Sequence, residues 1–381
     1  MRKLLLPLFC LLFIISCSND DINNINQNQL SLEAVVGNIT SPSGQVIPNV
    51  LVFYDDEGTI YSTKTDQNGN FELEVPTGQG ILQIQTGNGK LFNSSFEIDV
   101  IPGTILDLTS QNLRLESNSN LAFLAGSYDS IENIITDLGY TIDEVTIADI
   151  ENGLSGYDAV FLNCTGNLSS FSDAFYQGLN NFVTFGNSIY SSDFSLEYLI
   201  GFDNYSQNCS DVREGGFIGV GTVCGTRSGD VGWLYNNTIL NADIINHLGT
   251  SFIDVEYDAD IWMQLQNVDE NFWEILIKDE NANPLMIKTN QVQGGYDDDS
   301  IWYSNNGNKV TICHIPPGNS ANAHEITISV NALDTHLAHG DSIGACNASS
   351  GNIYYTTFHN HTDGTATPEV ESMMEYIVLN L

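Results

Sequence analysis

Four of the chain's seven histidines fall within residues 308–347, next to Cys313 and Cys346. Cys313 and His314 precede a Pro316-Pro317-Gly318 turn. Asn331 to Ala338 has the pattern of a short helix ended by Gly340, which puts His336 and His339 on one face at i and i+3. Cys313, His314, His336 and His339 together have the number and chemistry of a tetrahedral zinc site. The same segment admits a Cys313–Cys346 disulfide that staples it, with the histidines capping or hydrogen-bonding. Histidine density points to metal and an oxidising compartment to the disulfide, so both readings stand. A metal with no open coordination position would stabilise the segment and catalyse nothing.

A second set of polar residues falls where strands are expected to end: Ser127, Asn163, Ser191, Asp193, His359 and His361. Open α/β sheets bind ligands at the C-terminal ends of their strands. Asp193 and His359 would form a general acid/base pair if the fold brings them together. Otherwise Asp193 caps the following helix and His359 lies at the surface. An armed nucleophile is missing, because Gly-x-Cys-x-Gly occurs nowhere and Gly186-Asn187-Ser188-Ile189-Tyr190 has Tyr where a serine elbow needs its second Gly. Cys164 sits in an apolar strand pattern and reads as a buried small hydrophobe. Cys209 and Cys224 flank a Gly-rich loop and form a candidate disulfide.

Two kinds of element must position these residues. From Glu33 to about Leu108, short alternating runs (Val35–Ile39, Asn49–Tyr54, Ile60–Thr63, Phe71–Val75, Ile81–Ile84) are separated by turn residues such as Ser43-Gly44 and Asn68-Gly69. That spacing predicts a small β-sandwich. Asp66-x-Asn68-x-Asn70 mimics the start of a calcium loop but lacks the downstream carboxylate, so it reads as a plain turn. Val36-Gly37-x-Ile39, Gly44-x-x-Ile47-Pro48-Asn49-Val50 and Thr63-x-Thr65-Asp66-x-Asn68-Gly69-x-Phe71 resemble the carboxypeptidase regulatory-like domain. The resemblance implies a transthyretin-like, non-catalytic module over residues 33–115.

From Leu121 the period changes. A buried strand at Leu121–Ala125 is followed by a helix from Ser130 to Leu138, a strand near Val145–Ile147, another at Ala159–Asn163 and a helix from Phe171 to Asn181. Alternating strands and helices predict a mostly parallel, Rossmann-like sheet flanked by helices over residues 120–381, carrying the Cys/His-rich insert at 308–347. Tyr157-Asp158-Ala159-Val160, the Gly186-to-Asp193 run and the closing Gly351-to-His359 stretch resemble the class I glutamine amidotransferase-like superfamily, in its trehalose-utilisation branch. The insert resembles a small Cys-His-x-Pro-Pro-Gly-Asn module found in secreted bacterial proteins. The resemblance implies an amidotransferase-like domain that lacks the family's catalytic Cys.

Arg2 and Lys3 precede an apolar run, Leu4 to Ile15, that is too short to span a bilayer. Ile14-Ile15-Ser16-Cys17 resembles the bacterial lipobox, which implies a signal peptide at 1–16 and lipid on Cys17. Residues 17–32 read as a flexible tether, and Asp20-Asp21 resembles the signal for display on the outer membrane. With 10 Lys+Arg against 48 Asp+Glu and a net charge of −38, the chain repels nucleic acid. The expectation is a cell-surface lipoprotein with a non-catalytic binding or scaffolding role toward a glycan or another extracellular ligand. A hydrolase using Asp193 and His359, or a metal, is the alternative.

Overall fold

A computed structural model describes residues 31–165, 171–202, 215–219, 221–257, 261–291, 308–314, 324–333, 336, 342–343, 351–361 and 367–381. Its first part holds eight strands: β1 (Leu32–Thr40), β2 (Leu51–Asp56), β3 (Thr59–Lys64), β4 (Asn70–Pro76), β5 (Gly78–Gln85), β6 (Asn93–Val100), β7 (Leu106–Asp107) and β8 (Leu113–Arg114). They form two four-stranded sheets, β4-β1-β7 with β8 also on β1, and β3-β2-β5-β6. Period-two alternation makes them: in β4, Phe71, Leu73 and Val75 are buried while the residues between them face water. Asp66 accepts the amides of Asn68 and Asn70 at 2.8 and 2.9 Å, a turn as expected. Those hydrogen bonds hold its carboxyl below the usual range.

The second part contains β9 (Leu121–Leu124), α1 (Ile131–Asp137), β10 (Asp143–Val145), α2 (Ile147–Glu151), β11 (Ala159–Leu162), α3 (Asp173–Thr184), β12 (Ser188–Ser192) and α4 (Leu196–Ile200). It continues with β13 (Val223–Arg227), β14 (Gly232–Ile239), α5 (Ala242–Leu248), β15 (Phe252–Tyr257), β16 (Met263–Val268), β17 (Glu274–Lys278) and β18 (Pro284–Thr289). The insert supplies β19 (Lys309–His314), β20 (His324–Ser329) and β21 (Ser342–Ile343). β22 (Ile353–Thr356) and α6 (Pro368–Asn380) follow it.

Nine of these strands form one sheet in the order β10-β9-β11-β12-β22-β18-β17-β14-β15. The five from β10 to β22 are parallel, and every pairing from β22 to β15 is antiparallel. The sheet is therefore mixed, which corrects the expectation of a mostly parallel one. A short loop joins β17 to β18 and the helix α5 joins β14 to β15, and each connection reverses the chain between neighbouring strands. A second correction concerns Val145–Ile147, where the strand stops at Val145. Thr146 accepts the Asp149 amide, and the Asp149 carboxylate accepts the Thr146 amide, a capping box that starts α2.

The insert is a three-stranded sheet, β20-β19-β21, with its own small core of Val310, Ile312 and Leu333. Cys313 and His314 close β19, with His314 in register with His324, and His336 is helical. Cys17, Cys209, His339 and Cys346 lie outside the described residues. Cys224 is disulfide-bonded. Among the described residues no helix is long and apolar enough to cross a membrane.

The two parts share one continuous hydrophobic core. Phe92 packs on Tyr140 at 4.7 Å between ring centres, and the Tyr140 hydroxyl donates to the Leu115 carbonyl at 2.8 Å. Lys64 pairs with Asp243 at 2.6 Å, and the Gly87 amide donates to Asn380 Oδ1 at 3.0 Å. Phe92 is fully buried, so Phe92→Ala is expected to cost about 3–5 kcal/mol. All four tryptophans lie beyond residue 230, in the second part. Their fluorescence unfolding midpoint in urea should nevertheless fall in this variant, and an unchanged midpoint would mean that the two parts unfold separately.

Candidate metal site at the sheet edge

Parallel pairing fixes where the candidate residues go. Leu124, Leu162, Ser191 and Tyr355 lie in one row across β9, β11, β12 and β22, so the residues that follow these strands emerge at one edge. Asp129, Cys164, Asp193 and His359 follow them, and all four are buried. The chain after β9 runs tight against the chain after β11. Ser127 and Tyr128 donate their amides to the Cys164 carbonyl at 2.9 and 3.2 Å. A Cβ on Gly126 would stand 2.2 Å from that same oxygen, so only glycine fits.

Asp193 occupies a bend between β12 and the helical turn that leads into α4, at φ +44°, a left-handed conformation that Asp tolerates better than most residues. Its Oδ1 accepts the Met263 amide at 2.6 Å, and its Oδ2 accepts the Cys164 thiol at 3.4 Å. The Tyr355 hydroxyl donates to its carbonyl at 2.9 Å. His359 Nε2 lies 4.0 Å from Asp193 Oδ2, and the His359 and His361 rings are 5.3 Å apart. Sγ, the carboxylate oxygen and the imidazole nitrogen of Cys164, Asp193 and His359 all lie within 4.8 Å of one another. This buried group can hold a metal ion.

Burial drives each of these groups toward its uncharged form. It pushes Asp193 up to about 7, against the Met263 amide, the Cys164 thiol and the Arg227 guanidinium, which favour the carboxylate. Arg227 itself is held by Glu197 at 2.8 Å and lies over the Phe194 ring at 4.9 Å. Burial also raises Asp129 to about 7, although Ser192 donates to its Oδ2 at 2.5 Å. It lowers His359 to about 3, with His361 adding to the effect. The Cys164 thiol is raised well above its ordinary value by burial and then by Asp193. Asp129 Oδ1, Asn163 Oδ1 and His359 Nδ1 are buried here without a hydrogen-bond partner, which is unusual in a folded interior.

Of the residues expected at the strand ends, Asp193 and His359 do meet, and His361 flanks them. Neither bland alternative holds: Asp193 caps no helix, since Ser195 stands at the N-cap of α4, and His359 is only 8% exposed. Asn163 and Ser191 are fully buried beside the group, Asn163 donating to Glu132 at 2.7 Å and Ser191 to the Ser195 carbonyl at 2.8 Å. Cys164 is buried as expected, but its thiol is a member of the site and not filling. Its position just past an apolar strand was the available signal. The Asp129–Ser192 pair had none, since Asp129 lies five residues beyond its strand.

No protein-family model matches the chain, and no curated protein matches it. Among solved structures, the chain is similar to one described as part of a GMP synthase, from Thermoplasma acidophilum. The two share 8% identity over 70% of this chain and 96% of that one, at a TM-score of 0.35. It is also similar to the mmIFT52 N-terminal domain, at 10% identity, 68% and 95% coverage and the same TM-score.

The close approach at Gly126 makes the group's geometry testable. Gly126→Ala must push the chain after β9 away from Cys164, and a destabilisation of about 1–3 kcal/mol is expected, as for overpacking elsewhere. Denaturant unfolding measures it, and wild-type stability in this variant would show that the approach is not a tight one.

Proposed function

We propose that this chain is a cell-surface lipoprotein, anchored in the outer membrane through lipid on Cys17, whose body binds or scaffolds an extracellular glycan or protein without catalysing a reaction. Its parts then read as a carboxypeptidase regulatory-like β-sandwich and a Rossmann-like, amidotransferase-like α/β domain that carries the Cys/His-rich insert. The observation behind the non-catalytic reading is Asp193. The strand-to-helix bend, where an amidotransferase needs an exposed thiolate, carries a buried carboxyl. Cys164 stands just past the neighbouring strand with its thiol pKa raised, the opposite of activation.

In place of a nucleophile, Cys164, Asp193 and His359 at this edge would hold a zinc ion. Thiolate, imidazole and carboxylate together form a zinc donor set, whereas calcium and magnesium take oxygen ligands. Bound there, zinc ties together the chain following β11, β12 and β22. The insert residues Cys313, His314, His336 and His339 remain a second zinc candidate beside the Cys313–Cys346 disulfide, with Cys209–Cys224 as the other pairing. A metal-assisted hydrolase is the second reading, because three protein ligands leave one position open, as catalytic zinc sites do. Near-complete burial of all three side chains favours the structural role.

Elemental analysis of the purified chain lacking its signal segment tests this. About one zinc per chain is expected at the sheet edge, lost in Cys164→Ser and in His359→Ala. Zinc that persists in both and leaves with Cys313→Ser would assign the metal to the insert, and a zinc-free wild type would remove the centre. Binding must deprotonate the thiol and, below about pH 7, the Asp193 carboxyl. Affinity should therefore tighten as pH rises, by about tenfold per pH unit for each proton released, measured by chelator competition from pH 6 to 8.

A further inference from the structure

Cations are scarce in this chain, and some of the described ones are spoken for. Lys64, Lys90 and Arg227 each lie beside a carboxylate. Lys278 and Lys288 form no ion pair among the described residues, and both line one cavity of about 660 Å³ along the β17–β18 hairpin. Lys288 stands in register with Glu274 on one side and Tyr354 on the other. Its ammonium lies 4.9 Å from the centre of the Tyr354 ring. The Tyr354 ring face favours the charge, but burial takes Lys288 partly out of water and lowers its pKa.

The cavity is also lined by Glu270 and Glu274, so its formal charges balance. Amide side chains, among them Asn290, fill much of the remaining wall. The side chains of Lys288, Lys278, Glu270 and Asn290 make no hydrogen bond within the described protein, so their donors and acceptors are available together. Ammonium groups only donate, carboxylates only accept, and amides do both. The ligand group that complements such a wall is the hydroxyl, which donates and accepts from one atom. The volume lies in the range of small-molecule sites. A net charge of −38 keeps polyanions away.

We propose that the groove along the β17–β18 hairpin binds an uncharged oligosaccharide, with Lys278 and Lys288 donating to its hydroxyls and Glu270 and Glu274 accepting from them. This names the ligand class and the place for the binding role above, and it rests on that reading but not on the zinc centre. Calorimetric titration of the mature chain with cellotriose, maltotriose and mannotriose, and with trigalacturonate as the acidic comparator, tests it.

At least one neutral trisaccharide should bind, and Lys288→Met and Glu270→Gln should each weaken it about tenfold, the scale of a lost charge-assisted hydrogen bond. Circular dichroism melts check that both variants fold. The groove assignment fails if none of the three neutral sugars binds, if both folded variants bind as wild type does, or if trigalacturonate binds more tightly than all three. Release of shorter sugars from a bound trisaccharide would overturn the non-catalytic reading alone, and the groove would stand if the same two variants weakened binding. Absence of zinc would touch only the metal centre.

Discussion

Strands that run parallel and finish on one edge leave the residues after them little choice but to meet. Leu162, Ser191 and Tyr355 share a row, and Cys164 and Asp193 each follow two residues beyond it, with His359 four beyond. Segments distant in sequence are thus brought within one small volume by backbone hydrogen bonding alone. The left-handed bend at Asp193 and the absence of a side chain at Gly126 then settle which atoms face inward. Most other features of that edge, including Met263 and Arg227 arriving from β16 and β13, are arranged around the carboxyl so placed.

The chemistry of the edge follows from dehydration more than from pairing. Two carboxyls, a thiol and an imidazole lie out of water, and moving a lone charge there is costly unless a strong partner compensates. Their partners are mostly neutral amides and hydroxyls, which lower the cost only in part. The group therefore carries only about half of its carboxylate charge near neutral pH, with the thiol and the imidazole neutral. A divalent cation is the kind of partner that would change this, since it favours the ionised form of each donor at once. The same neutral thiol explains why Cys164 is ill suited to attack.

Much of the architecture was legible from residue order. β1 to β5 announce themselves by alternation, because one face of each meets a core, and Ile131, Ile135 and Leu138 betray α1 by their spacing. β6 escaped notice because it opens with Asn93-Ser94-Ser95, and β7 and β8 because two residues carry no period. The capping box at Thr146 and Asp149 was readable, yet the apolar Val145 and Ile147 on either side favoured a strand. Strand order leaves no periodic trace, so the antiparallel half of the large sheet was hidden. At the site, motif reasoning looked for a thiol or hydroxyl between glycines and found none. The bend exists all the same, with a carboxyl on it and serines around it.

Continuity of the core across Phe92 and Tyr140 has a kinetic side. A protein built from two loosely joined bodies breathes at the joint, and its halves can open in turn to degrading enzymes. Here opening at the joint strips apolar surface from both halves, so the joint resists opening on its own. Wherever unfolded chains are not rescued, a joint of this kind favours long survival among proteases.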